Sequence, residues 1–312
     1  MQAMDITLTV VPRPDAGFAT LLGDVAAAAE SGFARVWLPQ LPPIVGANGW
    51  DALTALAVAG ARTPGIGLGS SVAVAYGQHP LVLARQALTV AAATEGRFVL
   101  GLGVSHRFVV ADVLGYSYDA PAAYLREYLE VLGPALAGQS VDHHGPRITA
   151  VGKLESSVAA PQIVIAALGP RMLELAGALT AGTLTTWTGP KALENHVIPR
   201  ITRAAEDARR PAPQVIVGLP VSVTDDVEGT RAEINAAFAV ANEVPAYRGM
   251  LEREGVGSVA DLCLVGDEDE VVRGLRRFAD LGVTEFSAVP TGDDAARART
   301  ETVLREVALA AV

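Results

Sequence analysis

The sequence predicts an α/β protein, a closed (β/α)8 TIM barrel with insertions. Short runs rich in Val, Ile and Leu alternate with longer Ala-rich segments of helical period, as when each parallel strand is followed by a covering helix. Eight such units account for both ends of the chain, which favours a closed ring over an open doubly wound sheet. No stretch rich in Pro, Ser or like charge divides the chain, so one domain over residues 1–312 is expected.

The first strand is DITLTVV (5–11). A helix from about Gly17 to Ser31 follows, with Asp15 as a candidate cap, Phe18, Leu21, Leu22 and Val25 on one face, and Gly32 at its end. ARVWLP (34–39) is the second strand, and Asp51 opens the helix 51–62. The third strand, IGLGSSVAVA (66–75), leads to a helix beginning at Pro80, a residue suited to the first turn because its missing N–H would be unpaired there anyway. RFVLGLGV (97–104) is the fourth, followed by a loop and the helix AAYLREYLEVLGPALAG.

Residues 139–160 break the rhythm and read as a surface excursion, a candidate hairpin. QIVIAAL (162–168) with helix 170–181, GTLTTWTG (182–189) with helix 190–209, and QVIVGLPVSV (214–223) with helix 226–242 resume it. An insertion covers about 243–281. Its helix DEDEVVRGLRRFADLG carries acids in the first turn and arginines near the end, which suits the helix dipole. VTEFSAVP (283–290) is the eighth strand and 294–310 the closing helix.

Charge and cysteine content exclude several classes. The formal charge is −10, and the 24 Lys and Arg are spread thinly, so no basic stripe suits nucleic acid. One cysteine, Cys263, permits no internal disulfide and no Cys-based zinc site, which fits a cytoplasmic protein. No apolar run reaches the roughly 20 residues of a membrane span, and no export signal is read. HExxH, paired His–carboxylate spacing and a P-loop are all missing, so no metal site is expected.

A barrel of this kind works at the C-terminal ends of its strands, where the βα loops converge. Gly101-x-Gly103 is no dinucleotide fingerprint, because the third glycine position is His106 and no helix follows at once. Both glycines keep inner positions of strand four empty, either for a flat ligand or for packing. LGPRM (168–172) sets glycine at a strand end before a proline-initiated helix, leaving free backbone N–H groups and a positive dipole end for an anion. An ordinary βα turn has the same pattern. His106 is the leading acid–base candidate, since an imidazole of ordinary pKa near 6.5 exchanges protons near neutrality, and Ser105 stands beside it. His79 reads as a helix-start residue, His143 and His144 as solvated, and His196 as surface or packing.

GRFVLGLGVSHRFVV…LGYSYDAPAAYLREYLEVL, HPLVLARQALTV, IVIAALGPRMLELAGALTAGTLTTWTGP and VTEFSAVP together resemble the luciferase-like monooxygenase superfamily, and within it the coenzyme F420-dependent oxidoreductases of actinobacterial type. The resemblance runs over nearly the whole chain. It implies a homodimer that binds F420, or alternatively FMN, at the barrel mouth with its phosphate near strands five and six. The phosphate turn would be Gly169, Pro170 and Arg171, with Thr186 and Trp187 beside it. A non-prolyl cis bond behind the ring would fall at Ser71–Val72, next to Ser70, with Gly103 and Gln40 also at the cofactor. Many relatives have an acidic residue where this chain has Gln40, and sugar-phosphate dehydrogenases of the branch have a glutamate where it has Val104 and then Ser105–His106. The activity implied is hydride transfer between the deazaflavin and a small organic substrate, with His106 and Ser105 as catalytic residues. An FMN-dependent monooxygenase and a non-catalytic flavin-binding carrier or sensor are the alternatives.

Overall fold

The computed structural model describes residues 4–43 and 49–310, so the two termini and 44–48 of the single expected domain lie outside it. Eight parallel strand positions close into a barrel: β1 (Asp5–Thr9), β2 (Arg35–Leu38), β3 (Gly67–Ser70) continued by β4 (Ala73–Val74), then β5 (Phe98–Gly103). The excursion is an antiparallel hairpin of β6 (Val141–His144) and β7 (Thr149–Gly152). The ring resumes with β8 (Gln162–Ala166), β9 (Gly182–Thr186) and β10 (Gln214–Val223); β11 (Leu264–Gly266) lies outside it, and β12 (Glu285–Pro290) completes it. Closure is direct, since Glu285 is in register with Asp5 on one side and Ile216 on the other.

Helices cover the ring where the apolar period predicts. Asp51, Asp267 and Asp293 each accept the backbone N–H three residues on at 2.8 Å, starting the helices Ala52–Arg62, Glu268–Asp280 and Asp294–Leu309. Four expectations need correction. Asp15 caps nothing, because the helix Phe18–Glu30 begins after Gly17 without a side-chain cap. The third strand is not continuous over 66–75 but is interrupted at Ser71–Val72, where the expected non-prolyl cis peptide bond is present. The loop after strand four contains a π-helical turn, Phe108–Val113, and the helix expected over 190–209 has another at Leu193–Val197. The insertion is built from the helix Pro245–Glu254, a 3-10 turn at Val259–Leu262, β11 and the helix Glu268–Asp280.

The interrupted strand explains the glycines of β5. A Cβ at Gly101 would overlap the Ser70 carbonyl, and one at Gly103 would come within 2.7 Å of Val72 Cγ2. Close packing against the bulge therefore accounts for Gly101, whereas Gly103 also borders open space. Most of the core lies between barrel and helices, and a smaller cluster of Trp37, Val99, Val164, Leu184 and Ile216 packs separately from it. At the end where the strands begin, the buried Glu285 carboxylate accepts from Thr7 Oγ1 at 2.8 Å, Trp37 Nε1 at 2.5 Å and Arg35 at 2.6 Å. The Arg35 guanidinium also lies over the Trp37 ring, 5.6 Å from its centroid.

Candidate active site

A cavity of about 480 Å³ opens at the strand C-termini. Its walls come from every strand of the ring: Thr9 from β1, Pro39 and Leu41 after β2, Ser71 and Val72 in the bulge, Gly103 to His106 at β5, and Ala166 to Gly169 at β8. Leu184, Thr186 and Trp187 come from β9, Gly218 and Pro220 from β10, and Val289 from β12. Among the described residues none of the lining side chains is Asp, Glu, Lys or Arg. The titratable groups there are His106, Tyr118 and Tyr247.

The backbone is forced at two points of this wall. Ser105 has φ +57 and Trp187 φ +50, left-handed values that cost a residue bearing a Cβ of order 1–3 kcal/mol each. Ser105 is held there by Tyr118, whose hydroxyl donates to the Ser105 carbonyl at 2.7 Å. Burial pushes the Tyr118 phenol up to about 12, so it remains a donor at neutral pH. Trp187 packs edge-on against Phe238, with ring centroids 4.9 Å apart.

His106 follows, with its Nε2 3.1 Å from the Tyr247 hydroxyl and its ring nearly perpendicular to that of Tyr247 at 5.2 Å. Desolvation lowers the His106 pKa below its ordinary 6.5, so the imidazole is neutral at pH 7. Burial also pushes the Tyr247 phenol up to about 12.

Of the residues singled out in the sequence, Ser71, Val72, Gly103, Ser105, His106, Gly169, Thr186 and Trp187 line the cavity, and Gln40, Ser70, Pro170 and Arg171 do not. Gln40 Oε1 instead accepts the Ala52 N–H at 2.8 Å and secures the start of the next helix. Ser70 is fully buried, donating to the Gly101 carbonyl at 2.8 Å and accepting the Gly101 N–H at 3.0 Å, which ties β3 to β5. Pro170 is exposed in the first helical turn, and Arg171 lines a neighbouring cleft with Arg126 and Arg147.

Three of the other histidines are structural, and His144 is exposed as expected. His79 bonds to the Thr149 carbonyl and accepts the Leu81 N–H, and the buried His196 donates to the Leu168 carbonyl at 2.7 Å, steadying the turn before Gly169. His143 is not simply solvated, because it pairs with Glu127 at 3.2 Å. Glu127 also accepts the Ile148 and Arg147 N–H groups, which hold its carboxyl below the usual range despite burial. Sequence reasoning missed Tyr247 and Phe238, and assigned Tyr118 no role. A lone aromatic in VPAYRGM, within an insertion set aside as extra material, was the one available signal for Tyr247.

A parallel eight-stranded barrel with an aromatic, uncharged mouth at its strand C-termini defines a TIM-barrel protein whose candidate site is that mouth. The chain belongs to the luciferase-like monooxygenase family, whose model matches residues 9–285. It is 28% identical over 274 residues to the 5,10-methylenetetrahydromethanopterin reductase of Methanolobus tindarius, covering 86% of this chain and 81% of that protein. It is 29% identical over 266 residues to a Mycobacterium tuberculosis protein provisionally named a coenzyme F420-dependent oxidoreductase, covering 76% and 74%. The fold recurs in an F420-dependent secondary alcohol dehydrogenase solved with an F420–acetone adduct (TM-score 0.82, 18% identity, 100% of both chains). It recurs also in an FMN-bound type II Baeyer–Villiger monooxygenase of Pseudomonas putida (TM-score 0.81, 20% identity, 100% of this chain and 99% of that one).

Proposed function

We propose that this chain is a coenzyme F420-dependent oxidoreductase that moves a hydride between the deazaflavin C5 and a small organic substrate, with His106 giving or taking the accompanying proton. The observation that carries this reading is an uncharged mouth cavity with one neutral imidazole in its wall. Similarity to a relative named for F420 supports deazaflavin ahead of FMN. When bound, a deazaflavin supplies two-electron hydride chemistry, because carbon stands where a flavin has the nitrogen that helps oxygen chemistry.

The residues present fit such a group. Ser71 Oγ is buried in the wall without a protein partner, a polar atom suited to a ring edge. Gly218 lines the cavity without a side chain, so nothing projects from that position toward a flat ring. Gly169 starts the helix Pro170–Leu179 with no side-chain cap, leaving backbone N–H groups for a phosphate with Thr186 nearby. In this reading Ser71, Val72 and Gly103 border the ring, and Gly169, Thr186 and Trp187 border the phosphate end. Gln40 and Ser70 support the site from behind, Pro170 and Arg171 form the exposed first turn of the helix that follows Gly169, and Ser105 sets the position of His106.

Fluorescence titration of the purified protein with each cofactor is expected to give a lower Kd for F420 than for FMN. Tighter FMN binding would reassign the chain to the oxygen-using members of the family, and tight binding without hydride exchange to any acceptor would favour a carrier or sensor.

The substrate is a small molecule, and the functional unit a homodimer. Val82, Val113, Leu114, Tyr116 and Val151 are exposed apolar residues on segments that meet, since His79 bonds Thr149 and Gly77 adjoins the Tyr116 ring. Light scattering is expected to give twice the chain mass for the parent and the monomer mass for Val82→Asp/Val151→Asp; a parent that runs as a monomer removes the dimer from the proposal. Cys263 is buried with its thiol pushed up to about 12, an unreactive state that suits a cytoplasmic setting. Among the described residues no helix is long and apolar enough to cross a membrane.

A further inference from the structure

The 243–281 insertion supplies a residue to the mouth as well as covering the barrel. Val244 starts the helix Pro245–Glu254, and the Tyr247 N–H bonds back to the Val244 carbonyl at 3.0 Å, fixing the tyrosine in the first turn. Ala246 and Tyr247 line the cavity, and the Tyr247 hydroxyl lies 3.1 Å from His106 Nε2. On its other side the His106 loop is held by Tyr118 through Ser105. No carboxylate lines this cavity among the described residues, so its wall offers an imidazolium no counter-ion.

We infer that Tyr247 is a positioning residue that donates its hydroxyl proton to His106 Nε2, fixes the imidazole as its Nδ1–H tautomer, and makes the pair a proton-delivery unit for an uncharged carbonyl substrate. This rests on the hydride-transfer reading above and assigns its substrate class. A phenol that stays protonated can donate, Nε2 is the ring nitrogen within bonding distance of it, and donation there makes Nε2 the acceptor nitrogen of the neutral imidazole. The remaining ring proton then sits on Nδ1.

With the N–H groups of the Gly169 turn given to the cofactor phosphate, the cavity wall holds no formal charge to meet an ionic substrate, whereas a ketone, aldehyde or conjugated carbonyl enters without a counter-charge. For a simple carbonyl the balance is closed. Hydride from the reduced cofactor forms the new C–H bond, the C=O π pair moves to oxygen, and that oxygen takes one proton from the His106–Tyr247 pair, which solvent then replenishes. The carbonyl is reduced by two electrons and the cofactor oxidised by two; in the reverse direction the pair first gives one proton to solvent and then takes the substrate's.

The test uses the ligand-free protein and its Tyr247→Phe variant, which keeps the ring and removes only the hydroxyl. Imidazole ¹⁵N NMR of His106 is expected to show Nδ1 protonated and Nε2 unprotonated in the parent, and a change of at least twofold in the tautomer ratio toward Nε2–H in Tyr247→Phe. The same ratio in both proteins overturns the positioning role. Circular dichroism and Tm establish that the variant is folded. If it is not, the parent alone decides, since a predominantly Nε2–H tautomer there overturns the assignment.

Butanone and pyruvate are then titrated separately into the parent, reading the His106 resonances. Butanone is expected to shift them at concentrations at least tenfold below those needed for pyruvate. An equal or stronger response to pyruvate, or no response to either, overturns the substrate class. Because neither measurement requires bound cofactor, loss of F420 binding in the titration above would remove the hydride-transfer reading and leave the His106–Tyr247 result standing on its own.

Discussion

Replacing His106 by alanine is expected to lower kcat by about 10²–10⁴ while leaving cofactor affinity within about threefold, the loss typical of removing a positioned acid–base group. The residue sits past the end of β5, in a loop fixed on one side by the Tyr118–Ser105 bond and on the other by Tyr247. Alanine removes the proton carrier without disturbing Ser71, Gly169 or Thr186, which is why binding and turnover should separate. The pH dependence has a defined sign. Burial lowers the imidazole pKa from 6.5, so in the direction that takes a proton from substrate the rate should fall as pH drops through a value below 6.5. That limb should vanish in the variant. The same shift affects stability: the unfolded chain binds the proton more readily, so folding weakens as pH falls from 6.5 to the folded-state pKa and changes no further below it. Stopped-flow and steady-state rates across pH 5–8 check the rate limb and equilibrium unfolding over the same range the stability, and unchanged turnover in His106→Ala would remove the residue from the chemistry.

Glu285→Leu is expected to cost about 3–5 kcal/mol of stability, seen as a fall of about 5–10 °C in Tm. The carboxylate is one of the few buried charges in the molecule, and three donors converge on it from β1 and β2. Removing it strands Thr7 Oγ1 and Trp37 Nε1 in the barrel interior and leaves Arg35, one quarter exposed, without its counter-ion. Glu285→Gln preserves shape and one acceptor oxygen, so it should cost less, about 1–3 kcal/mol. Cofactor binding should persist in both variants, because none of Glu285, Thr7, Trp37 and Arg35 lines the cavity. A Tm for Glu285→Leu within about 2 °C of the parent would show that the cluster contributes little net stability.

What was legible follows from how local each signal is. The barrel could be read because strand and helix periods are written in consecutive residues, and Ser105 and His106 because they directly follow an apolar run. The Gly169 turn announced itself by a glycine before a helix-starting proline. Tyr247 could not be read the same way: it meets His106 across 141 positions, through an insertion whose path no local pattern describes. Gln40 looked like a mouth residue by position, yet its side chain is taken by the Ala52 N–H. Glu285 began the last strand as an unremarked acid, and its partner Arg35 lies 250 residues away. The two glycines of β5 were equally ambiguous, because nothing in their spacing shows the Ser70 carbonyl lying against them.

The cover of the mouth has a consequence for how such a protein can diversify. Phe238, Ala246 and Tyr247 reach the cavity from a single stretch of ten residues, while the bulge, the Gly169 turn and His106 belong to the ring of strands and their loops. The part proposed to hold the cofactor and the part that faces it across the cavity are thus separable in the sequence. Exchange of that one stretch between homologues would replace the ceiling of the chamber, and with it the choice of reaction partner, while the β1–β12 ring is inherited intact.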